Sequence, residues 1–391
     1  MKRAIPSIFA ECTLLFTLFC SVFLVGMINT YQLLGGAVIG TIGLALSFNP
    51  QISKRKTSVN TAIEVFILVI AFTVLFSKDR SSSVKYLLLW ITIYCEVLFG
   101  RADKQYQKRV ANYFLILCLI ECVFITLQYL FPAQLNRIIS RMLSQGALGG
   151  VMEAFDLHGA CTGIAGTQPF AMFYAYIVFC MGIIRCTRKM NIYNALLAGF
   201  GLFNIFLSGK RSAIAITMLA IIYMGVFAFK RDKAIGKKWK VLLVCMMGVG
   251  GFVLFNTNIG FAILEKNNTL RLSGDISNGR FFLISQMFNI FKENPIMGIG
   301  PLATNRYYGA FLGHNIYFQT LCEMGIVGFI ALCTLLIVGL NRKIQIIQSG
   351  RGTEFDLLSA FIQLFFIIYG FFGNPLFSYV FIIPYIMFVV E

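Results

Sequence analysis

Apolar residues along this chain come in long runs, separated by short polar segments. A helix needs about 20 apolar residues to cross about 30 Å of hydrocarbon. On that scale the pattern predicts about twelve membrane-spanning helices, near residues 8–28, 31–48, 59–77, 84–100, 110–131, 166–184, 192–207, 212–229, 241–258, 315–340, 357–373 and 376–390. The predicted class is therefore all-α, and we expect a polytopic integral membrane protein with a single transmembrane domain over residues 1–391.

Two long segments between the runs are predicted to lie on the outer side of the membrane, at 132–165 and 259–314. The first contains five apolar residues at the spacing of one helix face: Leu135, Ile138, Ile139, Met142 and Leu143. This spacing predicts an amphipathic helix on the membrane surface, and a glycine-rich passage follows it. In the second, the run 281–291 is too short to span and ends just before Pro295, which predicts a surface or re-entrant helix.

Composition agrees with a membrane protein, since 58% of residues are hydrophobic, 13% are charged and the mean hydropathy is +0.79. A net charge of +17 would suggest a nucleic-acid partner in a soluble protein. No basic-aromatic motif supports that partner, and Lys and Arg concentrate in alternate loops, as the positive-inside rule predicts. This pattern places both termini in the cytoplasm. The first apolar run follows Lys2 and Arg3 without a small-residue cleavage site after it, so we expect an uncleaved first span.

Basic residues on the outer face need a reason, because charge at a membrane edge is costly unless it is paired or used. Lys210 and Arg211 occupy a turn between two spans. Either they reach to lipid headgroups, or Arg211 binds a phosphate with its planar guanidinium. Arg280 opens the short helix of the second segment, where a helix N-terminus attracts anions; the alternative is contact with lipid phosphate alone. Arg306 is a further cation of that segment.

Two ionisable residues belong to the tenth predicted span. His314 opens it, and histidine accepts and returns a proton near neutral pH; the alternative is a helix cap or a packed residue. Glu323 lies about two and a half turns further on. It either serves function, pairs with a buried cation or bonds to backbone. The other histidine, His158, is less favoured, because Asp156 and Gly159 beside it are typical of a turn.

Several functional classes lack their usual signatures. The chain has no P-loop, no G-x-G-x-x-G after a strand and no H-E-x-x-H. Glu153 and Asp156 are the closest acidic pair in the predicted outer segments. The scarcity of paired carboxylates in these segments argues against a two-carboxylate glycosidase and against a metal held by an acidic cluster.

Three stretches carry a family resemblance. Residues 208–213 read Ser-Gly-Lys-Arg-Ser-Ala, Gly279-Arg280 precedes Asn-Pro-Ile-Met-Gly-Ile-Gly at 294–300, and His-Asn-Ile-Tyr at 314–317 leads to Glu323 and two glycines. The first resembles the S-x-S-R-[GS]-A element, and the third the H-N-x-[YF]-L-x-x-x-x-E-x-G-x-x-G element, of the O-antigen ligase and O-antigen (oligosaccharide repeat unit) polymerase superfamily of bacterial membrane proteins. Lys210 stands where a serine is common.

The resemblance implies a metal-independent glycosyltransferase without a cofactor. Its donor would be an undecaprenyl-diphosphate-linked oligosaccharide on the outer face of the bacterial cytoplasmic (inner) membrane. An acceptor hydroxyl would attack the anomeric carbon, and the lipid diphosphate would leave. On this model His314 is the general base and Arg211 and Arg280 bind the diphosphate. The supporting residues would be Lys210, Asn315, Tyr317, Glu323 and Arg306. Membrane lipid, a chain-length regulator and a flippase are the implied partners, and nucleic acid is not.

Within the superfamily, a polymerase joins lipid-linked repeat units, whereas a ligase moves a finished glycan to lipid A-core or another acceptor. The polymerase is favoured only because polymerases are the more numerous. A lipid-linked oligosaccharide flippase or another transporter is the alternative from a different class, although its substrate groups should lie near the bilayer midplane. A scaffold role is the least favoured.

Overall fold

The computed structural model describes residues 5–24, 57–100, 105–143, 145–228, 279–304 and 314–390, and regular structure in these ranges is helical, without a strand. The α-helices, numbered in chain order, are α1 (Ile5–Phe23), α2 (Ser58–Leu75), α3 (Arg80–Gly100), α4 (Tyr106–Leu130), α5 (Pro132–Met142), α6 (Gln145–His158), α7 (Gln168–Arg188), α8 (Ile192–Leu207), α9 (Arg211–Tyr223), α10 (Arg280–Glu293), α11 (Ile316–Gln348), α12 (Glu354–Tyr369) and α13 (Tyr379–Val389). A π-helical turn (Met224–Ala228) extends α9, and a 3₁₀ turn (Pro375–Phe377) precedes α13. The predicted all-α class is confirmed for these ranges.

Four helices, α2, α4, α7 and α11, are long and apolar enough to cross a membrane. Shorter apolar helices lie at Ala10–Phe23, Ile192–Leu207, Ser212–Val226 and Tyr379–Val389. All eight coincide with predicted apolar runs, so the chain is a polytopic membrane protein. The predicted spans 31–48 and 241–258 lie outside the described residues, and the total of twelve therefore stays a prediction.

Helix α7 lies at the centre of the bundle, and 16 of its 21 residues are buried. Its Phe173 ring contacts Phe365 of α12 and Phe381 of α13, with centroids 4.9 Å and 5.1 Å apart. Helix α8 approaches α7 closely, because a Cβ added at Gly182 would lie 2.4 Å from the backbone nitrogen of Ala198. Small residues permit this contact between membrane helices, where close packing replaces the hydrophobic effect.

The two ends of the bundle carry different chemistry. At one end Arg109 binds Glu11 with two N–O distances of 2.6 Å, which ties α4 to α1. The other end is called the site face here and is defined by the turn 208–210, His314 and the turn 370–378. The sequence predicts that the site face is the outer one.

The amphipathic helix predicted in the first long segment is present as α5. Its Leu135 and Ile139 are buried and pack with Val151 of α6. Ile138, predicted on the same face, is 49% exposed, so the protein covers only part of the apolar face.

The turn expected around Asp156 is wrong, because α6 continues to His158. The helix ends one residue later at Gly159, which has a φ of 59°. The N–H of Gly159 donates to the carbonyl of Phe155, and that of Ala160 donates to Ala154. A glycine in this left-handed conformation is a common helix end, so the glycine here terminates a helix.

Residues 160–166, which follow α6, are buried against α4. Gln128 Oε1 accepts hydrogen bonds from the N–H groups of Thr162 and Gly163, both at 2.9 Å. Glu121 Oε1 accepts one from Ala165 at 2.9 Å. Both side chains are fully buried within a membrane-spanning helix. The two polar groups satisfy backbone donors that would otherwise be costly to bury.

Candidate active site

Only three residues, 208–210, join α8 to α9, as the sequence predicts. The carbonyl of Leu207 accepts a hydrogen bond from Cys161 at 2.8 Å, which ties the turn to the buried segment 160–166. Gly209 has a φ of 64°, and a Cβ added there would lie 2.6 Å from the methyl group of Ala160. The turn is therefore held in place by the buried segment.

Two cations are attached to this fixed turn. Lys210 is the N-cap residue of α9 and is partly exposed on the site face. Arg211 is the first residue of α9, so its backbone lies on the same face; its side chain is outside the described part of the structure. Both residues are thus rooted at a helix end.

The short run 281–291 forms α10, which begins at Arg280 and ends just before Asn294, as predicted. Met287 and Ile290 on one side of α10 are buried with Cys322 of α11. Phe281 on another side is 76% exposed. Helix α10 therefore lies against α11 with one face and carries Arg280 at its N-terminal end, where the helix dipole also favours an anion.

Helix α11 is broken at Gly325, where φ is 65° and ψ is −166°. Residues 295–304 run alongside the break and supply the missing hydrogen bonds. The N–H of Ile326 donates to the carbonyl of Pro295 at 2.9 Å, and that of Gly300 donates to the carbonyl of Glu323 at 2.8 Å. A Cβ added at Gly298 would lie 2.3 Å from the backbone carbon of Glu323. The glycines of the second and third motifs therefore serve this contact.

Glu323 is fully buried beside the break. Its Oε2 accepts the N–H of Leu302 at 2.7 Å, and its Oε1 accepts the Thr304 hydroxyl and Gln319 Nε2, the latter at 3.1 Å. No basic side chain of the described ranges pairs with it. The sequence leaves several roles open for Glu323. The contacts show one of them, hydrogen bonding to backbone and side-chain donors. Glu323 thus holds residues 301–304 against α11.

His314 does not cap α11, although capping was one alternative for it. Asn315 is the N-cap residue, and its Oδ1 accepts the N–H groups of Tyr317 and Phe318 at 3.0 Å and 3.2 Å. His314 precedes the cap with a φ of 48° and an exposed side chain. Few residues other than glycine adopt this conformation, and histidine is among those enriched in it. Asn315 thus leaves the imidazole free of the capping role.

The beginning of α11 is fixed to the end of α12. The N–H of Ile316 donates to the carbonyl of Gly370 at 2.8 Å. The Tyr317 hydroxyl donates to the carbonyl of Ile367 at 2.7 Å, and its ring packs on Phe371 with a centroid distance of 4.6 Å. Tyr317 therefore positions the segment that carries His314.

His314 is close enough to two other elements of the fold for their positive charges to act on it. The pKa of His314 is lowered from its ordinary value of 6.5, first by partial desolvation and then by the positive charges of Lys210 and Arg280. Positive charge disfavours the protonated imidazole, which is itself a cation. The structure thus brings the turn 208–210, the start of α10 and the start of α11 together, with a neutral imidazole at pH 7.

Lys210→Ala should move the acidic limb of the pH–activity profile to higher pH. Removing this cation favours the imidazolium, so the pKa of His314 rises towards 6.5 and the base is protonated earlier as the pH falls. The measurement is the midpoint of kcat/KM against pH, which reports the free enzyme. Lys292→Ala is the matched control, because Lys292 lies over the Phe288 ring at the far end of α10. A midpoint that stays or moves downward in Lys210→Ala would contradict the assignment.

Sequence reasoning missed three polar residues around the site. Tyr369 ends α12 and interacts electrostatically with Arg280. No signal distinguishes it from the other tyrosines. Glu121 and Gln128 hold the segment 160–166, and a carboxylate inside an apolar run was the signal that could have found Glu121. Arg306 lies outside the described residues, and within the described ranges no three of His, Cys, Asp and Glu lie close enough together to hold a metal ion.

The fold and the site define a helical membrane protein with a histidine and two cations gathered on one face. The family model described as O-antigen ligase matches residues 196–333, so the resemblance to the O-antigen ligase and polymerase superfamily is confirmed. The match covers the turn 208–210, Arg280 and the first half of α11 with His314. Proteins of this family transfer glycans. No curated protein matches the chain.

Proposed function

We propose that this protein polymerises undecaprenyl-diphosphate-linked oligosaccharide repeat units into a surface polysaccharide such as O-antigen, capsule or exopolysaccharide. The reaction takes place on the outer face of the bacterial cytoplasmic membrane. One observation carries the proposal: His314 is excluded from capping by Asn315 and lies within reach of the charges of Lys210 and Arg280. A base beside fixed cations suits a reaction in which a hydroxyl attacks and a diphosphate leaves.

The bond changes assign a role to each group. The acceptor hydroxyl forms a bond to the anomeric carbon and gives its proton to His314. The bond from that carbon to the diphosphate oxygen breaks, and the electron pair leaves with the lipid diphosphate. Lys210 and Arg280 stabilise the negative charge that develops there, with Arg211 as a third cation on the same face. His314 is neutral beforehand because its pKa is lowered, and it then returns the proton to solvent.

The contacts of Asn315, Tyr317 and Glu323 support a positioning role for these three residues. Asn315 and Tyr317 bond to backbone at the start of α11 and the end of α12. Glu323 bonds to residues 302 and 304. Arg306 stays a candidate for the diphosphate site from its place in the sequence.

A ligase that moves a finished glycan to lipid A-core is the second candidate. The description of the matching family model, O-antigen ligase, favours it. The two reactions use the same donor chemistry and differ in the acceptor, so the groups around His314 suit either.

The decisive experiment supplies purified protein in liposomes with lipid-linked repeat units. We expect a ladder of products on a gel that grows by one repeat unit per step. A single transfer that requires added lipid A-core would favour the ligase. Movement of the lipid-linked unit across the bilayer without any new glycosidic bond would overturn both and favour a transporter.

A further inference from the structure

A shallow cavity of about 200 Å³, open to the surface, lies beside the site, between α6 and the beginning of α7. Its wall consists of Gly150, Glu153, Ala154, Gly166, Thr167, Gln168 and Pro169. A carboxylate, an amide and a hydroxyl thus face a small space together with two glycines. None of the lining residues is basic, so this surface differs from the cation group around His314.

The cavity adjoins that cation group. A Cβ added at Gly209 would lie 3.7 Å from Gln168 Nε2, so the amide in the cavity wall lies next to the turn 208–210. Lys210 follows directly, and its charge acts on His314. A ligand in the cavity would therefore lie beside the turn that carries Lys210, the cation whose charge acts on His314.

Contacts with α4 and α5 hold the cavity wall in place. Gln128 and Glu121 fix the segment that leads to Gly166 and Gln168. On the other side, Val151 anchors α6 to α5. Burying two polar side chains in a membrane-spanning helix costs free energy. Because both side chains hold this loop, its position matters. A wall held in this way is preorganised for a ligand.

The lining selects the class of ligand. Glu153 would repel a phosphate. Ala154 and Pro169 make part of the wall apolar, but a lipid tail would leave the carboxylate, the amide and the hydroxyl without partners. Hydroxyl groups both donate and accept hydrogen bonds, so they match a carboxylate, an amide and a hydroxyl together. At roughly 30 Å³ per water molecule in the liquid, the space corresponds to about seven waters, which suits one sugar ring.

We propose that this cavity binds one neutral sugar residue of the glycan, through Glu153, Thr167 and Gln168. The proposal rests on the proposed glycan transfer and deepens it by adding a saccharide subsite next to the diphosphate site. The sugar belongs either to the donor or to the acceptor, because both carry the same chemistry. A sugar in this cavity accounts for the glycine at position 150, where a side chain would reduce the space, whereas Gly166 has a φ of 78° that favours glycine in any case.

Gly150→Phe and Gly149→Phe form a matched pair for the test. Both glycines are exposed neighbours in α6, and a Cβ added at Gly149 has nothing within 4 Å, while one at Gly150 has only the Gly166 carbonyl at 3.9 Å. Both substitutions replace glycine by phenylalanine inside the same helix, so they change the helix propensity equally. Of these two glycines only Gly150 lines the cavity, so Gly150→Phe fills it and Gly149→Phe does not. Glu153→Ala tests the same cavity through an exposed side chain that folding does not require.

The probe is the repeat-unit oligosaccharide released from the lipid by mild acid, and its binding to purified full-length protein is measured by calorimetry. We expect Gly149→Phe to bind within twofold of the wild type, and Gly150→Phe and Glu153→Ala to bind at least tenfold more weakly. Equal binding by Gly150→Phe and Gly149→Phe, or no binding by the wild type, would overturn the subsite. Because this readout needs no turnover, it stands even if the protein transfers no glycan. In the transfer assay, Gly150→Phe should raise the KM of either donor or acceptor, which identifies the source of the sugar.

Discussion

His314→Ala should abolish formation of the product ladder, with a fall in transfer rate of at least a hundredfold. A positioned general base contributes about 10²–10⁴-fold to a rate, and the alanine variant has no group that accepts the hydroxyl proton. His314 makes no capping bond, because Asn315 serves that role, so insertion and folding should stay as in the wild type. The rate is measured in liposomes with lipid-linked repeat units as both donor and acceptor.

The left-handed backbone at His314 calls for a control that separates conformation from chemistry. Its φ of 48° strains most side chains, and alanine does not favour it. Asparagine tolerates this conformation well but is not a base near neutral pH. His314→Asn should therefore fold like the wild type and transfer no faster than His314→Ala. A normal ladder from either variant would remove His314 from the role of general base.

The second large effect concerns Glu323, for which alanine and glutamine should behave very differently. Glu323→Ala leaves the Leu302 N–H, the Thr304 hydroxyl and the Gln319 amide without their common acceptor in a buried place. Each unsatisfied buried group costs about 1–3 kcal/mol. We expect the thermal unfolding midpoint in detergent to fall by at least about 5 °C. Transfer should fall at least tenfold, because residues 301–304 lose their attachment to the helix that carries His314.

Glu323→Gln should keep nearly all of the stability and activity. The introduced carbonyl can accept the N–H of Leu302. The introduced amide nitrogen can donate to the Thr304 hydroxyl and to Gln319 Oε1, an atom that has no hydrogen-bond partner at present. Both assays compare the two variants under the same conditions. If the glutamine variant were as inactive as the alanine variant while folding normally, Glu323 would be a proton-transfer group and not a positioning residue.

The sequence predicted the elements around the site well, because their signals are local. The length of an apolar run sets where a span begins and ends, and α8 coincides with the run 192–207. Helix α10 ends just before Asn294 because Pro295 follows that residue. His314 and Arg280 were found because a charged or titratable residue at a helix end stands out in an apolar chain.

The contacts that organise the site could not be predicted, because their partners are distant in the sequence. The run 315–340 reads as one continuous helix, and a glycine inside it costs only about 1 kcal/mol relative to alanine. What breaks the helix at Gly325 is the segment 295–304, which supplies backbone partners from another part of the chain. The burial of residues 160–166 has the same kind of cause, since glycine-rich composition gives no sign that Glu121 and Gln128 accept their N–H groups.

Glu121 and Glu323 occupy equivalent roles in α4 and α11, since each is a buried carboxylate that holds a non-helical segment of the site face. Lys and Arg in the loops govern the orientation in which such helices enter a bilayer, and acidic residues contribute little to it. Lys and Arg therefore govern the insertion of the helices, whereas Glu121 and Glu323 govern the packing of the two non-helical segments against them. A reporter of membrane topology would give the same answer for a variant of either glutamate whether or not its segment had docked. Whether the segment is still packed in such a variant has to be judged by the solvent accessibility of residues 160–166 or 301–304.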